Sequence, residues 1–227
     1  MHNTVSRFDF NTISGRYDEW YVSKHGLHLD VVEKRAIDRL LPNASECSSL
    51  LEIGCGTGHW SEYFSNKGYG VSAIDVSQRM IEIAAKKNIP HSVFFVADGE
   101  NLPFSNEAFD IVVAITSLEF TPNPEIMFQE MVRCVKKKRG IIILGILNKL
   151  SAFNQKRMAI QGSVYSVANM FSMQEIENMI KPLTISEMLV TGFFPEIKRL
   201  FWLAPLYEKI NRLLSKQGAF IAVRVDL

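Results

Sequence analysis

The stretch best suited to chemistry is Leu50-Leu51-Glu52-Ile53-Gly54-Cys55-Gly56-Thr57-Gly58. A short apolar, strand-like run enters three alternate glycines, and a helix-period segment opens at His59. Glycines at 54, 56 and 58 permit a sharp turn and let a ligand lie against the backbone. The helix beyond them offers unpaired N–H groups and partial positive charge to an anionic group. Asp75 ends the next strand-like run, about twenty residues on, where a carboxylate can accept hydrogen bonds from both hydroxyls of a ribose. A glycine turn and an acid at adjacent strand ends fit an adenosine-bearing cofactor. The nicotinamide fingerprint is spaced G-x-G-x-x-G, whereas this chain has G-x-G-x-G with Glu52 two residues ahead of the first glycine. An NAD-dependent oxidoreductase shares the glycines and Asp75, and it stands as a rival that the spacing disfavours.

These residues need a sheet to position them. Apolar runs at Leu50–Ile53, Val71–Ile74, Val93–Val96, Ile111–Ile115 and Ile141–Leu147 are strand-like, and several are continuous rather than alternating, as in strands covered on both faces. Helix signals lie between them. His59 to Lys67 stops at Gly68, Ser77 caps a helix through Lys87, and Asn123-Pro124-Glu125 opens another with Asn123 as its cap. The alternation implies a parallel sheet with helices on both sides. Past 147 the rhythm changes. Phe153 to Phe171 lacks clean periodicity, and Ser172-Met173-Gln174-Glu175 forms a capping box for a helix to Ile180. Ile185–Val190 and Phe220–Val225 are candidate sixth and seventh strands, with an amphipathic helix over Pro205–Leu214 between them. Residues 1–45 read as an N-terminal helical cap, 46–147 as the cofactor-binding core, and 148–227 as the substrate-side insertion and last strands of one domain.

Composition narrows the function classes. The 227 residues are 47% hydrophobic and 22% charged, which excludes a wholly disordered chain. Lys plus Arg total 25 against 24 Asp plus Glu, so the broad basic field of a dedicated nucleic-acid binder is missing. Lys136-Lys137-Lys138-Arg139 reads as a solvated turn before a strand. Cys47, Cys55 and Cys134 form no C-x-x-C pair, neither a disulfide framework nor a zinc site. The histidines lack metal-ligand spacing, so no metal is expected. The polar start, Met1 to Arg7, lacks the apolar core of a signal peptide, and no aliphatic run approaches the ~20 residues of a membrane span. The expectation is a cytoplasmic protein.

Three further motifs stand in order behind the glycine turn: Val96-Ala97-Asp98-Gly99-Glu100-Asn101-Leu102-Pro103-Phe104, Phe109-Asp110-Ile111-Val112-Val113, and Val135 to Gly140. With the turn and Asp75 they resemble the class I S-adenosylmethionine-dependent methyltransferases, in particular the small-molecule group that includes the quinone-biosynthesis C-methyltransferases. The resemblance is strong over about residues 50–147. It extends weakly to Tyr17-Asp18-Glu19-Trp20-Tyr21, which looks like that group's lid helix. It implies a three-layer α/β/α Rossmann-like sandwich whose seven-stranded sheet is mostly parallel, with the last strand antiparallel at or near an edge. It implies S-adenosylmethionine as cofactor and a small-molecule acceptor.

By that resemblance, Gly54, Cys55, Gly56 and Gly58 lie under the methionine and ribose, with Glu52 near the cofactor's amino group. Asp75 holds the ribose hydroxyls, Val76 and Met80 pack against adenine, and Asp98 bonds the adenine amino group with the backbone of Gly99 and Glu100 nearby. Ile115 and Thr116 border the transfer site. Tyr17, Trp20 and Tyr21, with Met158, Tyr165 and Phe171 of the insertion, are the expected closing elements. Relatives that extract a proton often carry a His after the fourth strand. Ser117-Leu118-Glu119-Phe120 stands there instead, which leaves Glu119 as the one acid in place to be a base, an orienting group or a plain loop residue. Cys55 reads as packing rather than as a nucleophile, and Trp60 as core or lid contact. The aromatic stretch from Phe193 to Leu214 reads as packing against the sheet or a partner ahead of a membrane contact. The acceptor atom, the oligomeric state and a non-catalytic, cofactor-binding variant of the same fold stay open.

Overall fold

The computed structural model describes residues 6–45, 48–195 and 198–227; the start of the chain through Val5, and Cys47, lie outside them. Helices α1 (Glu19–Val22) and α2 (Lys24–Leu40) come first. The core then alternates as β1 (Ser49–Ile53), α3 (His59–Asn66), β2 (Gly70–Asp75), α4 (Gln78–Lys86), β3 (Ser92–Val96), β4 (Ile111–Ile115), α5 (Pro124–Cys134) and β5 (Ile141–Leu147). Beyond it lie α6 (Ala152–Met158), α7 (Met173–Met179), β6 (Ile185–Thr191), α8 (Ala204–Leu214) and β7 (Phe220–Asp226).

Local chemistry fixes the helix starts. The Ser77 hydroxyl accepts the Met80 N–H and begins α4, and Ser172 with Glu175 forms both halves of the expected capping box on α7. One expected cap is corrected. Asn123 makes no side-chain cap on α5: its side-chain amide and backbone N–H donate to the Glu100 carboxylate at 2.9 and 2.7 Å, which orients the side chain toward Glu100, and its oxygen accepts no N–H of the first turn. Pro124 in the first turn and Glu125 still favour the helix there. The irregular stretch around Phe153 to Phe171 hides α6 and a short 3₁₀ turn at Val164–Val167.

The seven strands run in the order β3-β2-β1-β4-β5-β7-β6. β7 pairs antiparallel with both neighbours and sits one place in from the edge, where β6 lies. Every residue of β4 and β5 is buried, which is why those runs are apolar without alternation. Two large cores cover the two faces of the sheet, with smaller clusters around Phe120 and Leu29. Ile37 and Leu40 of α2, Trp60 and Phe64 of α3 and Ile81 of α4 cover one face, on Leu50, Val71 and Ile111. Met127 and Met131 of α5 and Ile176 of α7 cover the other, on Leu51, Val112 and Ile142. Each such side chain, fully buried, stabilises by ~1.5–3 kcal/mol before chain entropy is set against it. The order reverses between β1 and β4, and the crevice at such a switch point is where sheets of this kind take ligands.

Candidate functional site

The loops after β1 to β4 open on a cleft of about 690 Å³. Gly54 and Gly56 line it at φ +77° and +54°, backbone that side chains rarely adopt. A Cβ on Gly54 would stand 2.4 Å from the Ser117 Cβ, whose hydroxyl donates to the Ile53 carbonyl. Asp75 faces the cleft at the end of β2, with one oxygen accepting the Gly56 N–H at 2.9 Å and the other the Ser77 N–H at 2.8 Å. Burial pushes its carboxyl upward, and these two donors pull it back. Each oxygen keeps a further lone pair for a ligand hydroxyl.

Val76, Met80, Asp98 and Gly99 line the same cleft. One oxygen of Asp98 accepts the Glu100 N–H at 2.9 Å and so fixes the turn after β3. Thr116 lies at φ 48°, a strained value for a β-branched residue, and lines the cleft at the end of β4. From the N-terminal segment, Phe10 and Tyr17 form the opposite wall. Asp18 fastens that wall: it accepts the Thr57 hydroxyl at 2.5 Å and pairs with Lys87 at 2.8 Å. Burial, with Asp75 adding to it, pushes the Tyr17 phenol to about 12.

Five residues of the expected cofactor set lie outside the cleft lining. Gly58 holds φ +82° and caps α3; a Cβ there would meet Ile89 and Ala84 at 3.1 and 3.2 Å, so its bareness permits close packing. Glu52 is 2% exposed and accepts the Ser61 hydroxyl at 2.5 Å, and burial pushes it to about 8. The Cys55 thiol is buried and its pKa is raised well above the usual value by desolvation. Glu100 is spent on Thr121 and Asn123, and Ile115 belongs to the core between β4 and α3.

The methyltransferase-domain family model matches residues 51–144, the segment that builds this cleft. An uncharacterized protein of Methanocaldococcus jannaschii is 30% identical over 96% of this chain and 98% of its own length. A malonyl-[acyl-carrier protein] O-methyltransferase of Buchnera aphidicola is 29% identical over 66% of this chain, which spans 61% of that relative. A Thermotoga maritima structure described as a SAM-dependent methyltransferase, possible histamine N-methyltransferase, superposes with a TM-score of 0.73 at 24% identity, over 96% of this chain and 97% of that one. The chain belongs to the class I S-adenosylmethionine-dependent methyltransferases. Its cofactor is S-adenosylmethionine. The cleft suits that molecule: Asp75 stands ready for paired hydroxyls, and Gly54, Gly56 and Gly99 leave a cradle that Cβ atoms would narrow.

The methyltransferase has a second cavity, of about 1270 Å³, which shares Phe10, Tyr17, Thr116 and Phe120 with the cleft. Trp20, Tyr21, Trp60 and Tyr165 form aromatic walls. Tyr21 stacks on the His59 ring at 3.5 Å, which ties α1 to the start of α3. Of the expected closing residues, Met158 packs with Phe120, Leu147 and Met170 beside this cavity. Phe171 sits in the core under β5, where its backbone bridges Leu147 and Lys149.

Glu119 is not a solvated loop residue: it is fully buried in a single turn after β4, and one oxygen accepts the Leu147 N–H. Its other oxygen has no partner among the described residues, and burial pushes the carboxyl to about 7. Sequence reasoning missed Arg157 and Glu33, which both line the second cavity. Glu33 had a readable signal. It interrupts the buried stripe Leu29, Ala36, Ile37, Leu40 at helical spacing, where an apolar residue is expected. Arg157 had none, because α6 shows no amphipathic period. Among the described residues, no cluster of His, Cys, Asp and Glu could hold a metal, and no helix is long and apolar enough to cross a membrane.

Proposed function

We propose that the chain methylates a small, largely apolar or aromatic molecule held in the second cavity, with the cofactor in the glycine cleft. The observation that carries this reading is the junction of the two spaces at Tyr17, Thr116 and Phe120. Aromatic walls of that size fit a small molecule, and the near-neutral charge balance speaks against a nucleic-acid backbone.

Bound S-adenosylmethionine supplies a methyl group activated by positive sulfur. Asp75 accepts both ribose hydroxyls, Asp98 accepts the adenine amino group, and Val76 and Met80 flank the base. The backbone at Gly54 and Gly56 carries the methionine end. Thr116, held in a strained conformation, sets the border between donor and acceptor. Tyr17, Phe10 and Phe120 exclude water from that border, and alignment of the two reactants there contributes most of the rate. Glu119 acts as a positioning residue, holding the turn after β4 to the end of β5 through the Leu147 N–H. The acceptor atom is carbon, oxygen, nitrogen or sulfur.

Calorimetric titration with S-adenosylhomocysteine, beside NAD and an Asp75→Ala variant, tests the cofactor site. Saturable binding of S-adenosylhomocysteine alone, weakened about tenfold or more in the variant as for a lost charged hydrogen-bond acceptor, is the expected result. Binding of NAD in place of S-adenosylhomocysteine would overturn this assignment of the cleft.

A further inference from the structure

Two opposite charges face the second cavity without forming an ion pair: the Arg157 guanidinium from α6 and the Glu33 carboxyl from α2. Arg157 lies 3.3 Å from the Tyr165 ring centroid and 4.7 Å from that of Trp20. Its hydrogen bond to Asn154, from Nη1 at 3.2 Å, uses one of five donors. Asn154 is itself fixed, its amide donating to the Asn148 and Ala219 carbonyls at 2.9 and 2.7 Å. The guanidinium is therefore aimed, and most of its donors have no hydrogen-bond partner among the described residues. Desolvation raises Glu33 and the Arg157 charge is the largest influence lowering it, while no hydrogen bond to its carboxyl is made among the described residues. Burial lowers Arg157 to about 9 and raises Glu33 to about 7, as expected for charges held away from water.

Both side chains are half-buried, and charges drawn out of water are ordinarily paired. Here the missing partners are complementary: acceptors for Arg157 and a donor for Glu33, between aromatic walls. Building on the reading of this cavity as the acceptor site, the geometry points to an amphoteric aromatic acceptor, its carboxylate on Arg157 and its N–H or O–H donor on Glu33. A phosphate ester fits less well, since a dianion would meet one guanidinium with Glu33 opposing it. The planar fork of Arg157 matches a single carboxylate, and its stacking on Tyr165 holds the fork in one plane. Arg16 and Glu19 stand at the exposed rim and add no net charge.

The test loads the full chain with S-adenosylhomocysteine and titrates L-phenylalanine, 3-phenylpropionate and phenethylamine by calorimetry. Both acids are expected to bind, with L-phenylalanine the tighter, and phenethylamine to bind least. Arg157→Gln should weaken both acids about tenfold or more, while affinity for S-adenosylhomocysteine is kept. Glu33→Gln should weaken L-phenylalanine and leave 3-phenylpropionate unchanged. The inference is overturned if phenethylamine binds tighter than the acids, if neither acid binds, or if Arg157→Gln leaves their affinity intact. The ranking in the native chain needs no variant to fold. If S-adenosylhomocysteine itself fails to bind, the methyltransferase site falls too; if it binds and the acids fail, this inference alone falls.

Discussion

At the scale of single residues, the site is legible wherever a position's job is done by its own backbone or by a near neighbour in sequence. Gly54, Gly56 and Asp75 are of this kind, since a turn and the end of the adjacent strand bring them together. Gly54 gives a sharp prediction. An alanine there must adopt φ +77° and place its Cβ 2.4 Å from that of Ser117. Strain and overpacking together should cost ~2–4 kcal/mol. Gly15→Ala, with nothing within 4 Å of the new Cβ, should change stability by less than ~0.5 kcal/mol. Urea unfolding of the two variants checks the contrast, and equal midpoints would refute it. Arg157 and Glu33 stayed hidden for the opposite reason. Their meaning lies in sharing a cavity 124 positions apart, and only the closed fold creates that cavity.

The elements divide along the same line. The strands β1, β4 and β5 were readable because burial on both faces forces apolar runs, and β3, though it lies at the exposed edge, keeps the same apolar signature. The place of β7 inside β6 was not, because antiparallel partners at that end are chosen by packing and not by local pattern. The N-terminal wall of the cleft is tied at its start, where the Arg7 N–H donates to the Phe120 carbonyl and the Asn11 side-chain oxygen accepts from the Ser77 hydroxyl and the Arg79 N–H, while its later part depends on Asp18. Asp18 joins it to Thr57 and to Lys87, and the second contact is half in water and contributes little. Asp18→Ala should therefore loosen the stretch around residues 14–22 more than it destabilises the fold, since Arg7 and Asn11 keep their own anchors. Trypsin should cut the cofactor-free variant at the exposed Arg16 several-fold faster than the native chain, with global unfolding shifted by ~1 kcal/mol or less. S-adenosylhomocysteine affinity should drop in parallel, because Tyr17 and Phe10 belong to that wall. Unchanged cleavage at Arg16 would refute this role for Asp18 and leave the wall to the Asn11 hydrogen bonds and the stacking of Tyr21 on His59.

Across the whole molecule, the buried carboxyls set how stability responds to pH. Desolvation raises Glu52 to about 8 and Glu33 and Glu119 to about 7, from an ordinary 4.5. Between about pH 4.5 and 8 the folded chain thus binds more protons than the unfolded one, and stability falls as pH rises through that window. Asp110 and Glu175 work the other way. Against desolvation, Lys136 and Ser49 hold Asp110 at about 2, and Lys149 with the Ser172 N–H holds Glu175 at about 2. Their contribution is present above their ordinary values and lost as pH falls toward 2. His28, lowered by burial, adds stability as pH rises toward 6.5, one group against the three glutamates and Asp75, which burial also raises. Cofactor-free protein should therefore be most stable near pH 5 and weaken toward pH 8. Glu52→Gln keeps the Ser61 hydroxyl bonded to a side-chain oxygen and removes the titration. Its stability should match the native chain at pH 5 and exceed it by ~1–3 kcal/mol at pH 8. Urea unfolding at both pH values decides it: parallel profiles for the two chains would show that Glu52 does not carry the proton, and a gap opening only below pH 4 would reverse the sign.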